Sequence, residues 1–244
     1  MPDVILRGET DWGGWRDATR QLVLDGAPPE AVRFTVDPDA APPMTPPSID
    51  PAAGSGGSHR GFAVSRTLVG LAAQAIQARE PARFDLLYRL VWRAHAGEPV
   101  LEDAGDPDLR RARALALAVR AEAHRMRALL RYLPAGGGGR YLGWYAPAHF
   151  VLEANAQVLA RWFPRFAVSL LTPDGSAHWD NEGLRFGPAV DPAAIPDDAA
   201  LRAYWAEFGA DLLAAARPGT PLPAADLFDD ARRPPDRPAL GPVV

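Results

Sequence analysis

Cysteine and lysine are both missing from the 244 residues of this chain. Without cysteine, the chain holds no disulfide, no thiolate nucleophile and no cysteine-ligated zinc or iron–sulfur site of its own. Any site chemistry therefore depends on histidine, aspartate, glutamate and arginine. All 26 basic residues other than histidine are arginine. A GC-rich genome accounts for this simply, so the number of arginines alone is weak evidence for phosphate binding.

Long apolar runs and several common motifs are missing as well. No apolar run comes near the roughly 18 residues of a membrane-spanning helix, and there is no basic-then-apolar leader. We therefore expect a cytoplasmic protein that neither crosses a membrane nor is exported. The chain also has no Gly-x-Ser-x-Gly elbow, no phosphate-binding loop and no dinucleotide fingerprint. On this basis we predict no bound cofactor.

The composition changes along the chain predict its domain organisation. The total length suits one well-packed domain with appendages, or two small ones. Strand, helix and strand signals near the start predict a β-α-β unit, whose helix is capped by Thr10 and Asp11. The predicted segments are the β-α-β unit at 1–36, packed on the core, a flexible Pro/Gly/Ser linker at 37–60, the core domain at 61–216 and a disordered, acidic, proline-rich tail at 217–244.

The stretch 140–188 has the densest aromatic content and predicts most of the sheet. Its hairpin turn is expected to place Gly183 at positive φ. The predicted fold class is α+β, a mixed sheet flanked by helices in a single main domain that carries the N-terminal β-α-β unit. The predicted elements are a strand at 140–145, a helix from Pro147 to just before Pro164, a strand at 166–171 and hairpin arms at 177–180 and 184–186.

Positive charge is concentrated in one segment, although the net charge of the chain is −4. Residues 109–133 contain seven arginines and one acid, on a helix predicted from Asp106 to about Tyr132. Five of its basic residues fall in an arc of roughly 60° beside the apolar face, namely Arg113, Arg120, His124, Arg127 and Arg131. The candidate phosphate contacts are Arg113, Arg120, His124, Arg125, Arg127 and Arg131. The alternative is a solvated helix face that pairs with acids of the C-terminal segment.

His149 is one candidate catalytic residue. It is expected at a helix start, with Glu153 one turn later on the same face, a spacing that suits a base and its orienting carboxylate. One such pair provides too few ligands for a metal ion, so we predict no metal site. The alternative is a capping or structural histidine.

His178 and Asp180 form a second candidate on the first arm of the hairpin. Alternation sends both side chains to one face of the strand, where they can act as a general-base pair. Trp179 points to the other face and is a candidate for stacking on an unpaired base. In the alternative interpretation, Trp179 belongs to the core and Asp180 caps its turn.

A series of motifs, in order over most of residues 1–208, carries a family resemblance. They include Gly8-Glu9-Thr10-Asp11, Phe84-Asp85-Leu86-Leu87-Tyr88, Ala123-His124-Arg125-Met126, Pro147-Ala148-His149 and Ser176-Ala177-His178-Trp179-Asp180. These motifs resemble a bacterial domain of unknown function found in probable DNA-metabolism proteins. Arg125 stands where that family usually has lysine, which keeps the charge but changes its geometry.

The resemblance implies a role in DNA repair or DNA metabolism. The implied partner in trans is a radical-SAM DNA-repair protein, beside which the family is found, or a UdgX-type uracil-DNA glycosylase, to which it is often fused. The first hypothesis is an accessory protein that contacts DNA through the arginine-rich helix. The second is an enzyme acting on a nucleotide or modified base, with His149, His178 and Asp180 meeting in a cleft.

Overall fold

The computed structural model describes residues 3–37, 64–130, 132–134, 140–163 and 166–190. Most of the predicted linker and all of the predicted tail lie outside these residues. The described residues form five helices and two sheets, one of which is mixed, and this confirms the α+β class. The elements are β1 (Asp3–Leu6), α1 (Trp12–Leu24), β2 (Arg33–Val36), α2 (Arg66–Ala75), α3 (Arg83–His95), α4 (Pro107–Leu129), β3 (Tyr132–Pro134), β4 (Arg140–Trp144), α5 (Leu152–Trp162), β5 (Ala167–Thr172), β6 (Gly175–Trp179) and β7 (Leu184–Gly187).

The described residues divide into two compact units. The division falls within α4, between Ala121 and Glu122. The first unit contains β1 to α3 and the first part of α4, and the second contains the remaining strands and α5. In residue numbers, the first unit comprises 3–37, 64–121 and 148–150, and the second comprises 122–130, 132–134, 140–147, 151–163 and 166–190.

The first unit begins with the predicted β-α-β arrangement. β1 and β2 pair in parallel, from Asp3 opposite Arg33 to Leu6 opposite Val36, with α1 between them. Asp11 caps α1, because its carboxylate accepts the Gly14 backbone N–H at 2.9 Å. A Cβ atom at position 14 would lie 2.3 Å from an oxygen of that carboxylate, so a larger residue there would make the Asp11 side chain move.

Aromatic side chains form much of the core of the first unit. The rings of Trp12 and Trp15 stack with centroids 5.5 Å apart, and Phe34 meets Tyr88 edge-on at 5.7 Å. The Trp15 Nε1–H donates to the Phe84 carbonyl at 3.4 Å. These contacts join α1 and β2 to α3, which presents a continuous buried face.

A buried arginine fastens the loops of the first unit. Arg83 is 2% exposed, and its guanidinium donates to the carbonyls of Ile76 at 2.6 Å, Glu80 at 2.9 Å and Glu9 at 2.6 Å. It also bonds the Glu9 carboxylate at 2.6 Å. Burial lowers the pKa of Arg83, whereas the hydrogen bond and charge of Glu9 raise it. One side chain therefore holds the end of α2, the loop before α3 and the residues before α1.

The second unit contains the mixed sheet that the sequence predicts. Its five strands lie in chain order, β3-β4-β5-β6-β7, with β4 and β5 parallel and the other neighbours antiparallel. α5 packs against β5, β6 and β7. The residues on this face include Val168, Leu170, Ala177 and Phe186, all of which are buried. The opposite face of the sheet is mostly half-buried.

Three predicted features differ from the structure. α4 ends at Leu129 rather than at Tyr132, because Tyr132 pairs with Gly143 as the first residue of β3. α5 begins at Leu152 rather than at Pro147. The positive φ of the hairpin turn, 75°, belongs to Asn181 and not to Gly183. Asparagine tolerates this left-handed backbone better than most side chains do.

Candidate functional site

Arginines of α4 in the first unit form an exposed basic surface. Arg113 donates to the Leu101 carbonyl at 3.4 Å, and Arg120 donates to the Gln74 side-chain oxygen at 3.1 Å. Both acceptors are uncharged. Within the part of the chain that the structure describes, these two guanidinium groups therefore keep an uncompensated positive charge. Arg111 differs, because it forms an ion pair with the Glu80 carboxylate.

Arg110 and Leu117 share the face that holds Arg113 and Arg120. The four residues follow each other at steps of three, four and three, which places them in an arc of about 80°. All four are exposed, and Leu117 is 65% exposed. We call Arg110, Arg113, Leu117 and Arg120 the α4 basic face. Arg110 and Leu117 are not among the site residues predicted from the sequence, although the same helical spacing identifies them.

Arg125, on the part of α4 in the second unit, is neutralised by its own helix. Its guanidinium bonds the carboxylate of Glu122 at 2.6 Å. Glu122 is 3% exposed and also accepts a hydrogen bond from the Tyr145 hydroxyl at 3.2 Å. Burial, and then the charge of Glu122, raise the pKa of Tyr145. Arg125 thus pairs with a buried carboxylate. His124, which precedes it in the sequence, is exposed.

Arg127 is directed toward α5 rather than away from the protein. Its guanidinium donates to the side-chain oxygen of Asn155 at 2.6 Å, and the Asn155 amide donates to the Met126 sulfur at 3.0 Å. Asn155 is buried. Arg127 is therefore part of the packing between α4 and α5. Arg131 and the acids of the C-terminal segment, which the alternative interpretation pairs with the arginines, lie outside the described residues.

His149 stands three residues before α5 and belongs to the first unit. Its Nδ1 atom accepts the backbone N–H of Arg79 at 3.1 Å, which places the ring proton of the neutral imidazole on Nε2. Phe150 donates its backbone N–H to the Gln77 carbonyl at 2.9 Å. The Arg79 guanidinium lies 4.2 Å from the centre of the Phe150 ring. His149 thus fastens the 148–150 segment to the residues after α2.

His178 is held by two serines rather than by Asp180. Its Nδ1 lies 2.8 Å from the Ser169 hydroxyl oxygen, and its Nε2 lies 3.1 Å from the Ser176 hydroxyl oxygen. We call Ser169, Ser176 and His178 the serine–histidine cluster. Burial, followed by the charge of Arg185, lowers the pKa of His178. The imidazole is therefore neutral near pH 7.

Asp180 organises the hairpin turn. Its carboxylate accepts the backbone N–H groups of Glu182 at 3.1 Å and Gly183 at 2.8 Å, and it pairs with Arg185. The two backbone hydrogen bonds lower the pKa of Asp180 more than the charge of Arg185 does. The structure thus does not bring Asp180 and His178 together as an acid–base pair.

Trp179 is tied to the end of α5. Its Nε1–H donates to the Phe163 carbonyl at 2.9 Å, and its side chain is half-buried. Among the described residues, no group of three or more histidine, aspartate or glutamate side chains is placed to hold a metal ion. None of the described helices is both long and apolar enough to cross a membrane.

The fold and these side chains define an α+β protein with a basic helix face and a polar cluster on its sheet. The family model described as a domain of unknown function, DUF4130, matches residues 81–222. The match covers more than half of the chain, so the chain belongs to this family. No curated protein and no solved structure matches this chain. The expected membership of a family of unknown function is confirmed.

Proposed function

We propose that this protein is an accessory protein of DNA metabolism, which binds the phosphate backbone of DNA through the α4 basic face. The observation that supports this proposal most directly is the pair Arg113 and Arg120. Both are exposed, and both donate to uncharged acceptors. Like charges on one helix face repel each other, and an anionic partner removes that repulsion. A phosphate backbone supplies such a partner.

The chemistry of the α4 basic face suits this ligand. An arginine guanidinium holds phosphate oxygens with two parallel hydrogen bonds, and it stays charged at any physiological pH. The net charge of −4 opposes general attraction to DNA, but a local patch acts within a screening length of about 8 Å. Leu117 adds an apolar contact for sugar or for thymine methyl groups between the arginines.

The proposed partners come from the sequence resemblance. In this proposal the protein works in the cytoplasm beside a radical-SAM DNA-repair enzyme or a UdgX-type uracil-DNA glycosylase in trans, and it presents DNA to that enzyme. The alternative, an enzyme that uses His149, His178 and Asp180 together, receives less support from the side-chain partners. Each of the three groups is held by hydrogen bonds to different neighbours.

The test of the proposal is the affinity for labelled duplex DNA, measured by fluorescence anisotropy. The double variant Arg113→Ala with Arg120→Ala is expected to bind about tenfold more weakly, because two charge-assisted contacts are lost. The matched control is Arg33→Ala with Arg66→Ala, which removes the same charge from exposed positions outside α4. Equal affinities for the two double variants contradict the proposal.

A further inference from the structure

The serine–histidine cluster lies on the face of the sheet opposite α5. Ser169 on β5 stands directly across from His178 on β6, and His178 stands across from Arg185 on β7. Ser176 precedes His178 by two residues and therefore points to the same face. Ser169 is half-buried, whereas Ser176 is 2% exposed. Of the two hydroxyls, that of Ser169 is the one a ligand reaches.

One tautomer of His178 gives the two serines different roles. A neutral imidazole has one nitrogen that donates and one that accepts. When Nε2–H donates to the buried Ser176 hydroxyl oxygen, Nδ1 accepts the hydroxyl proton of Ser169 at 2.8 Å. This is the relationship between a nucleophilic hydroxyl, its general base and the group that orients the base.

Gly187 keeps the position of the Ser176 hydroxyl open. A Cβ atom at Gly187 would lie 2.7 Å from the Ser176 hydroxyl oxygen and 3.5 Å from His178 Nε2. The first distance is too short for any side chain to be accommodated without movement. The strand beside the cluster therefore carries glycine at a point where a side chain would push against the Ser176 hydroxyl.

We propose that Ser169 is a catalytic nucleophile with His178 as its general base and Ser176 as a positioning residue, acting on an anionic phosphate ester. Arg185 supports the choice of substrate. It is exposed, stands opposite His178 in the sheet register and is oriented by its ion pair with Asp180. A guanidinium has five N–H donors, so this ion pair leaves donors for a phosphate. This activity is independent of the α4 basic face.

The proposed reaction is hydrolysis in two steps. The Ser169 oxygen attacks phosphorus and forms an O–P bond, while its proton passes to His178 Nδ1. The bond from phosphorus to the leaving alcohol breaks on the opposite side of phosphorus, and that oxygen takes a proton from water. A water molecule then attacks the phosphoryl-serine in line with the Ser169–phosphorus bond and gives its proton to solvent, while the imidazolium returns its proton to the departing Ser169 oxygen.

A fluorophosphonate probe tests the nucleophile in the full-length protein. Its phosphorus is attacked by an activated serine, and fluoride leaves. We expect one label per chain, located at Ser169 by peptide mass spectrometry, and at least tenfold slower labelling in Ser169→Ala and His178→Asn. Ser176→Ala is expected to slow labelling less, since it only orients the base. The control Ser65→Asn keeps an N-cap side chain on α2 and is expected to label at the wild-type rate.

The pH profile of labelling separates catalysis from a structural role. The neutral imidazole is the active base, so the wild-type rate is expected to rise with pH and to level off around a pKa below the ordinary histidine value of 6.5. A merely structural histidine gives no such inflection. Labelling at another residue, or an unchanged rate in His178→Asn, overturns the proposal.

Two chromogenic esters then test the substrate class. Bis(p-nitrophenyl) phosphate is expected to release nitrophenol in the wild-type protein and not in Ser169→Ala. Turnover of p-nitrophenyl acetate without turnover of the phosphodiester assigns the site to acyl esters and overturns the phosphate assignment. Arg185→Gln is expected to weaken phosphodiester turnover more than fluorophosphonate labelling, because the diester is an anion whereas the probe is uncharged.

Discussion

Arg93 and Asp106 form an ion pair at the start of α4. The Arg93 guanidinium bonds one Asp106 oxygen at 2.6 Å, while the other oxygen accepts the Leu109 backbone N–H at 2.8 Å. Asp106 is buried. A single carboxylate thus links α3 to the first turn of α4. The helix that carries the α4 basic face is anchored at this point.

Asp106→Ala is expected to lower the free energy of unfolding by about 1–3 kcal/mol, because it removes a helix cap and a buried carboxylate that pairs with Arg93. Arg93 keeps its ion pair with Glu98. The measurement is urea denaturation followed by circular dichroism. Glu102→Ala, an exposed acid in the preceding loop, is the control and should change stability by less than about 0.5 kcal/mol. Similar losses in both variants contradict the assigned role of Asp106.

The contribution of Asp106 should depend on pH. The hydrogen bond from Arg93, followed by that from the Leu109 backbone, lowers the pKa of Asp106. The stabilisation is therefore complete above the unfolded-state pKa of about 4 and is lost as pH falls through the lower folded-state value. The stability difference between the wild type and Asp106→Asn is expected to shrink between about pH 5 and pH 2. A difference that stays constant over that range is inconsistent with an ionised, paired Asp106.

Alanine substitutions at two neighbouring glycines of α1 should change the free energy of unfolding in opposite directions. Alanine at Gly14 places its Cβ against the Asp11 carboxylate that caps the helix, so we expect a loss of about 1–2 kcal/mol. Gly13 has no neighbouring atom within 4 Å of the position of a Cβ. Gly13→Ala should therefore stabilise by about 0.5–1 kcal/mol through helix propensity. Thermal unfolding of both variants checks this, and destabilisation by Gly13→Ala counts against the assigned geometry.

Arg83→Lys should destabilise the protein although it conserves charge. Lysine provides a point charge, and it cannot reproduce the planar set of donors that reaches three carbonyls and the Glu9 carboxylate. We expect a loss of about 2–4 kcal/mol, because buried carbonyl groups lose their partner. Arg66→Lys, at an exposed position, should be near neutral. Comparable stabilities for the two variants, measured by urea denaturation, argue against the fastening role of Arg83.

Local sequence signals predicted the elements that depend on local interactions. The β-α-β unit and the hairpin follow from alternation, turn residues and the cap at Asp11. The start of α5 did not follow, because the Phe150 N–H bonds the Gln77 carbonyl, a partner 73 positions earlier in the sequence. A proline at the first turn is a local preference, and this distant hydrogen bond overrides it.

Hydrogen bonds between side chains on different helices or strands could not be predicted from the sequence for the same reason. Helical spacing placed Arg127 with the other basic residues, but the approach of α5 gives it Asn155 as a partner. Strand alternation placed His178 beside Asp180. The hydrogen bond between His178 and Ser169 depends on the register between β5 and β6, which sequence spacing does not determine.

The salt dependence of DNA binding tests the α4 basic face most directly. Each phosphate contact contributes about 0.9 to the slope of log affinity against log salt concentration on duplex DNA. Arg113→Ala with Arg120→Ala is expected to reduce the magnitude of the wild-type slope by about 1.8, while Arg33→Ala with Arg66→Ala keeps it. A wild-type slope that the first double variant leaves unchanged contradicts DNA binding by the α4 basic face.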